Sequence, residues 1–221
     1  MKYLLIKTLR FWWTPVFLMA VWACSEPDSS DVLMTTNQGV VSIHLYEQTT
    51  KYHKNFVKLV EEGFYDSLLF HRVMADMMIQ GGDPESKNAP SGKFLGKGNL
   101  DYTIQPDFRY VHTYGAVSAA RLPDQINPGK ESSASQFFIV IGRPVTDEEL
   151  NKIEKDKGFR YTPEQRRLYK LVGGIPQWDK EYSVFGEITD GMEVVKKISR
   201  IKTDPNDRPV QDVLMTMKMS N

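Results

Sequence analysis

The sequence holds a single cysteine, Cys24, in 221 residues, so no disulfide can form within the chain and the fold must be stabilised by its core. It also lacks an excess of either charge: 28 Lys and Arg balance 28 Asp and Glu. That balance removes the basic footprint of a nucleic-acid binder, and no nucleic-acid partner is expected. The four histidines, His44, His53, His71 and His112, have no paired ligand spacing and no cysteine to help them, so no metal site is expected. No Gly-x-Ser-x-Gly elbow is present to set a nucleophile beside a base. His71, Ser118, Ser135 and Asp83 are therefore read as structural, His71 as a buried hydrogen-bonding residue. The stretch from Gly92 to Gly98 lacks Walker spacing and a Lys-Ser/Thr ending, and reads as a flexible loop bordering a groove rather than a phosphate cradle.

Long hydrophobic runs are missing as well. The apolar stretch from Phe11 to Ala23 is short for a bilayer span, and Lys2, Lys7 and Arg10 precede it, the pattern of a signal peptide over residues 1–23. Its end, Val21-Trp22-Ala23-Cys24, resembles a bacterial lipobox, with Trp22 in place of the usual small residue. That resemblance implies cleavage before Cys24 and its diacylation. An uncleaved anchor with a membrane-segment cysteine is the alternative. Either reading tethers the domain to a membrane outside the cytoplasm, periplasm-facing or at the outer membrane of a bacterial envelope. Residues 25–31, polar and turn-rich, read as the tether.

What is present is ordinary globular material, 41% hydrophobic and 25% charged, enough for one sizeable core over residues 32–219. Val32 to Thr36, a turn at Asn37-Gln38-Gly39, and Val40 to Tyr46 predict a β-hairpin, with Val41, Ile43 and Leu45 alternating against Ser42 and His44. Lys51 to Glu62 carries an apolar stripe at helical spacing and stops at Gly63. Asp190 to Ile201 predicts a second amphipathic helix, with Asp190 as N-cap and Glu193 completing an acidic capping box. A last strand, Val213 to Lys218, is expected to pair with the opening hairpin and close the sheet. Between them, residues 143–177 are highly charged and hold two capping boxes, Thr146 with Glu149 and Thr162-Pro163 with Gln165. These predict a helical insertion, Asp147 to Lys155 and Pro163 to Val172, lying near the substrate groove as a solvated decoration or as a gating or partner-binding element.

Four blocks carry the chemistry: Phe70-His71-Arg72-Val73, Met77-Met78-Ile79-Gln80-Gly81-Gly82-Asp83, Ser135-Gln136-Phe137-Phe138-Ile139-Val140 and Val184-Phe185-Gly186-Glu187. An always-ionised guanidinium on an apolar strand recognises an amide but cannot take its proton, which points to amide rotation rather than hydrolysis. In this order the blocks closely resemble the cyclophilin family of peptidyl-prolyl cis/trans isomerases, over nearly the whole chain after the tether. The resemblance implies an all-β, closed eight-stranded barrel capped by two α-helices, here with the insertion added, and an isomerase that assists the folding of exported, proline-containing polypeptides.

Rotation about X-Pro faces a barrier of ~18–20 kcal/mol and needs no nucleophile, metal or cofactor. It needs the twisted amide, whose nitrogen gains a lone pair, to be favoured over the planar one. Arg72 is expected to donate to that nitrogen, the role the family gives the arginine of its Phe-His-Arg motif, and Gln80 to bond both Arg72 and the peptide backbone. By resemblance Met77, Met78 and Phe138 line the proline pocket with Trp178, Met77 replacing the family's usual phenylalanine. Ala119, Ala120 and Arg121 stand where the family offers a backbone edge to extended substrate. Gln136 is expected to hold a loop or touch the residue before proline, and Tyr182 stands where the family often has histidine. The family's pocket tryptophan has no clear counterpart unless Trp178 or the insertion supplies it. A non-catalytic proline-segment binder or holdase is the alternative, and a monomer the expected state.

Overall fold

Alternation of buried and exposed side chains along the first two strands sets the sheet's inner face. The computed structural model describes residues 31–220. In it β1 (Asp31–Thr36) and β2 (Gly39–Leu45) form the expected hairpin, with Val32 opposite Ile43 and Met34 opposite Val41, all buried. Asp31 belongs to β1 rather than to the tether, and its carboxylate meets His44 Nδ1 at 2.8 Å. The leader, Cys24 and the rest of the tether lie outside the described residues.

The chain continues through α1 (Thr50–Glu61), β3 (Leu68–Met74), β4 (Met78–Gly81), the two-residue β5 (Thr103–Ile104), β6 (Ala116–Arg121) and β7 (Ser132–Val140). It then passes through α2 (Asp147–Lys157), α3 (Pro163–Leu171), β8 (Ser183–Asp190), α4 (Met192–Ser199) and β9 (Leu214–Met219). Eight antiparallel strands follow one another in the order β4, β3, β9, β1, β2, β8, β6, β7, and pairing of β4 with β7 closes the ring, with β5 added on β7. The last strand does pair with the opening hairpin, through β1, but it also pairs with β3. The ring also runs through the pairing of β4 with β7, where Gln80 faces Phe138. A closed ring leaves no long unpaired edge.

Inside the barrel Phe56 of α1 packs against Tyr65, Phe137 and Phe185 with ring centroids 5.0–5.8 Å apart. Offset and edge contacts of this kind add to the area they bury. Helix α1 packs on β7 and β9, and α4 on β2, β3 and β4. The start of α4 differs from expectation. Asp190 stays in β8 opposite Ser42, and the chain turns at Gly191, whose φ of +85° places it as N-cap without any side-chain bond. A Cβ there would lie 2.4 Å from the Val40 carbonyl oxygen, so the close strand crossing, not the cap, selects glycine.

Both insertion helices begin on complete capping boxes, Thr146 with Glu149 and Thr162 with Gln165. They bury a small apolar cluster of their own, Val145, Leu150, Ile153, Tyr161 and Tyr169. Beneath it the Glu154 carboxylate accepts the Tyr161 backbone N–H at 2.8 Å, a bond that holds its pKa below the usual carboxylate range, and pairs with Arg160 and Arg166. The charge that marks this segment in sequence is thus partly internal wiring.

Candidate active site

Antiparallel register brings the three central residues together. Arg72 of β3 lies opposite Gln80 of β4, and Gln80 opposite Phe138 of β7. On the barrel's outer face they line a cavity of about 710 Å³, with Met78, Ala120, Trp178 and Tyr182 among its other walls. Phe138 forms the centre: the Trp178 indole meets it edge-on at 5.0 Å and the Tyr182 ring at 5.4 Å. Trp178 reaches this place because a 3-10 turn at Pro176–Trp178 carries the chain from the insertion back to the barrel.

Several residues sit differently from expectation. Met77 occupies the β3–β4 turn, 37% exposed, and lines a neighbouring groove rather than this cavity, because it stands before β4, whose outward positions Met78 and Gln80 reach the cavity wall. Ala119 points into the barrel core by alternation along β6, leaving Ala120, Arg121 and Leu122 at the cavity. Gln80 does not bond Arg72. Its amide donates to Gln136 Oε1 at 3.0 Å, and Gln136 in turn donates to the carbonyls of Gly96 and Gly98. Gln136 therefore holds the glycine-rich loop that borders the cavity. Arg72, 44% exposed, engages Asp207 Oδ2 through Nε alone at 3.4 Å. The Arg121 side chain is nearly buried: Nε donates to the Glu181 carbonyl at 2.7 Å, and the guanidinium lies over the Tyr182 ring at 4.9 Å.

Other wall residues come from loops that carry no motif. Phe94, Leu122 and Ile126 form an exposed apolar rim, and the buried Arg208 guanidinium faces the cavity while donating to the carbonyls of Pro90 and Lys93. Of these only Phe94 had a signal in the sequence, since it lies within the glycine-rich loop from Gly92 to Gly98. His71, behind Arg72, is buried as expected, but neither ring nitrogen makes a well-formed hydrogen bond, its backbone interaction with Leu69 being a weak one. Burial, partly offset by the Asp83 carboxylate and reinforced by Arg72, pushes its imidazole down to about 4.

A Ser-His-Asp sequence of hydrogen bonds does exist. Ser118 Oγ lies 3.0 Å from His112 Nε2, and His112 Nδ1 2.8 Å from Asp179 Oδ1. All three residues are at most 1% exposed, so the hydroxyl is out of reach of any substrate. The trio is a prop. The His112 ring stacks beneath Phe138 at 6.1 Å, and Asp179, next to Trp178 in sequence, accepts the hydroxyls of Tyr161 at 2.7 Å and Tyr169 at 2.6 Å. Burial first, and the Asp179 carboxylate second, raise both phenols far above their ordinary range, so they remain donors. The insertion thus buttresses the cavity wall. Removing the hydroxyl in Tyr169→Phe is expected to cost about 1.5–3 kcal/mol, the range for hydrogen bonds to charged groups. A urea midpoint equal to that of the parent chain contradicts this.

A sequence profile of the family described as "Cyclophilin type peptidyl-prolyl cis-trans isomerase/CLD" matches residues 31–219, the whole barrel with its insertion. The chain belongs to the cyclophilin family. An assigned peptidyl-prolyl cis-trans isomerase of Staphylococcus aureus (strain USA300) is 34% identical over 185 residues, covering 83% of this chain and 88% of that protein. A counterpart in Staphylococcus saprophyticus is 32% identical over 184 residues, covering 82% and 87%. The fold is shared by the crystal structure of a cyclophilin type peptidyl-prolyl cis-trans isomerase from Cryptosporidium parvum, with TM-score 0.63, 22% identity, and coverage of 87% of this chain and 98% of that one. That protein's structure in the presence of the dipeptide Ala-Pro gives TM-score 0.58, with the same identity and coverage of 86% and 99%. This cyclophilin is a peptidyl-prolyl cis-trans isomerase.

Proposed function

We propose that this cyclophilin isomerises X-Pro bonds of exported polypeptides from a lipid-anchored position outside the cytoplasm, with the proline seated in the cavity on Phe138. The observation that carries the site assignment is the register itself, which sets the Arg72 guanidinium and the Gln80 amide beside an open apolar hollow of about 710 Å³. Met78, Phe138 and Trp178 hold the ring by dispersion and exclude water from it. Arg72 donates to the prolyl nitrogen, whose lone pair exists only in the twisted state, so the bond favours that state over either planar isomer. No covalent bond changes. Asp207 steadies the guanidinium through Nε, the part expected of Gln80, while Gln80 and Gln136 pin the loop at the cavity's edge. The Ala-Pro dipeptide of the Cryptosporidium study supports a proline peptide as the ligand class.

The anchored position is supported by the leader and by Cys24 in its lipobox-like context. Cells expressing the full chain and fed an alkyne-labelled fatty acid are expected to yield a labelled, membrane-bound protein. Cys24→Ser is expected to lose the label and accumulate uncleaved. An unlabelled parent chain, or a variant that keeps the label, overturns the lipid anchor on Cys24.

A further inference from the structure

Beside the proline cavity runs a second groove, of about 470 Å³, between the β3–β4 turn and the insertion. Its apolar walls are Met77, Val145, Ile175, Pro176 and Trp178. The charges at its rim are already paired, Asp76 with Arg200 at 3.1 Å and Arg143 with Glu149, so nothing in it calls for a charged ligand. Trp178 is a wall of both this groove and the proline cavity. At its other end the proline cavity shares Gln80, Gly96, Ala120 and Arg121 with a recess of about 240 Å³, which has no residue in common with the groove. The three hollows therefore form a row with the proline cavity in the middle.

An extended polypeptide advances ~3.3–3.6 Å per residue and must leave a bound proline at both ends. Along this row, the way from the proline cavity to the groove passes Trp178. We propose that the groove is a substrate subsite, built by the insertion, that takes an apolar side chain of the polypeptide within a few residues of the proline. This rests on the proline cavity being the isomerase site. It also gives a use to Met77, an exposed methionine outside that cavity whose flexible thioether adapts to different side chains. Gly142 and Gly174 both line the groove, and a Cβ on Gly142 would sit 2.4 Å from the Gly174 oxygen, so two bare backbones pass in contact where the insertion returns to the barrel.

The probes are two series of Ala-Pro peptides, one extended on the amino side and one on the carboxyl side, each carrying leucine or serine at successive positions. Rates are read by exchange NMR. One series is expected to show a preference of about tenfold in kcat/KM for leucine at one position, the value of burying much of one such side chain. In Ala75→Trp, and in Gln177→Trp, bulk placed on exposed positions of the groove is expected to bring that ratio to one. Absence of a preference in both series, or its persistence in both variants, overturns the subsite. A parent chain that fails to turn over the unextended peptide contradicts the proline-cavity assignment, and the subsite falls with it.

Discussion

Arg72→Ala is expected to lower kcat/KM for a proline peptide by one to two powers of ten. A hydrogen bond to a charged donor is worth about 1.5–3 kcal/mol, and here it is made only in the twisted state, so its loss falls on the barrier. Stability should change little. The guanidinium is 44% exposed and its ion pair with Asp207 is a surface pair, of the kind worth at most about 1 kcal/mol. Arg72→Lys is expected to recover only part of the rate, because an ammonium is a point donor without the planar fork. A protease-coupled assay beside a urea titration separates the two effects. Equal rates for Arg72→Ala and the parent chain would remove Arg72 from the mechanism.

The second large effect is on stability against pH and comes from the residue before Arg72. Unfolded, an imidazole takes its proton near 6.5. Folded, His71 takes it only at about 4, because its buried site disfavours charge. Above pH 6.5 both states are neutral and the residue adds no pH dependence. Between pH 6.5 and 4 the unfolded chain holds the extra proton, so stability falls as the solution is acidified, by roughly 3 kcal/mol across the window. His71→Gln has no such proton to take up. Its stability curve is expected to be flatter than the parent's between pH 6.5 and 4, and parallel curves would contradict the buried neutral imidazole.

Much of this architecture is legible in the residues themselves. The alternation of Val41, Ile43 and Leu45, the stripe that ends at Gly63, and the two Thr-led capping boxes each fix an element from local chemistry alone, and the four blocks identify the family. Local patterns fail where distant chain segments decide. Asp190 has the spacing of an N-cap, but the crossing over Val40 requires glycine and moves the helix start to Gly191. The partner of Arg72 is Asp207, 135 positions away, rather than the neighbouring-strand Gln80. Met77 and Ala119 follow their motifs into the site in sequence, yet Met77 falls in the turn before β4 and strand alternation turns Ala119 into the core. The buttress from Tyr161 and Tyr169 to Asp179 and His112 has no sequence signature, since it exists only once an insertion helix has packed beside the barrel.

Exchange NMR on a single Ala-Pro peptide, with parent chain and Arg72→Ala adjusted to the same bound fraction, reads interconversion on the protein separately from affinity. If Arg72 serves the twisted amide, interconversion in the bound state slows by one to two powers of ten while the dissociation constant changes severalfold at most. An unaltered bound-state rate with a large loss of affinity would show that the arginine only holds the peptide, and would contradict its assignment as the group that lowers the barrier.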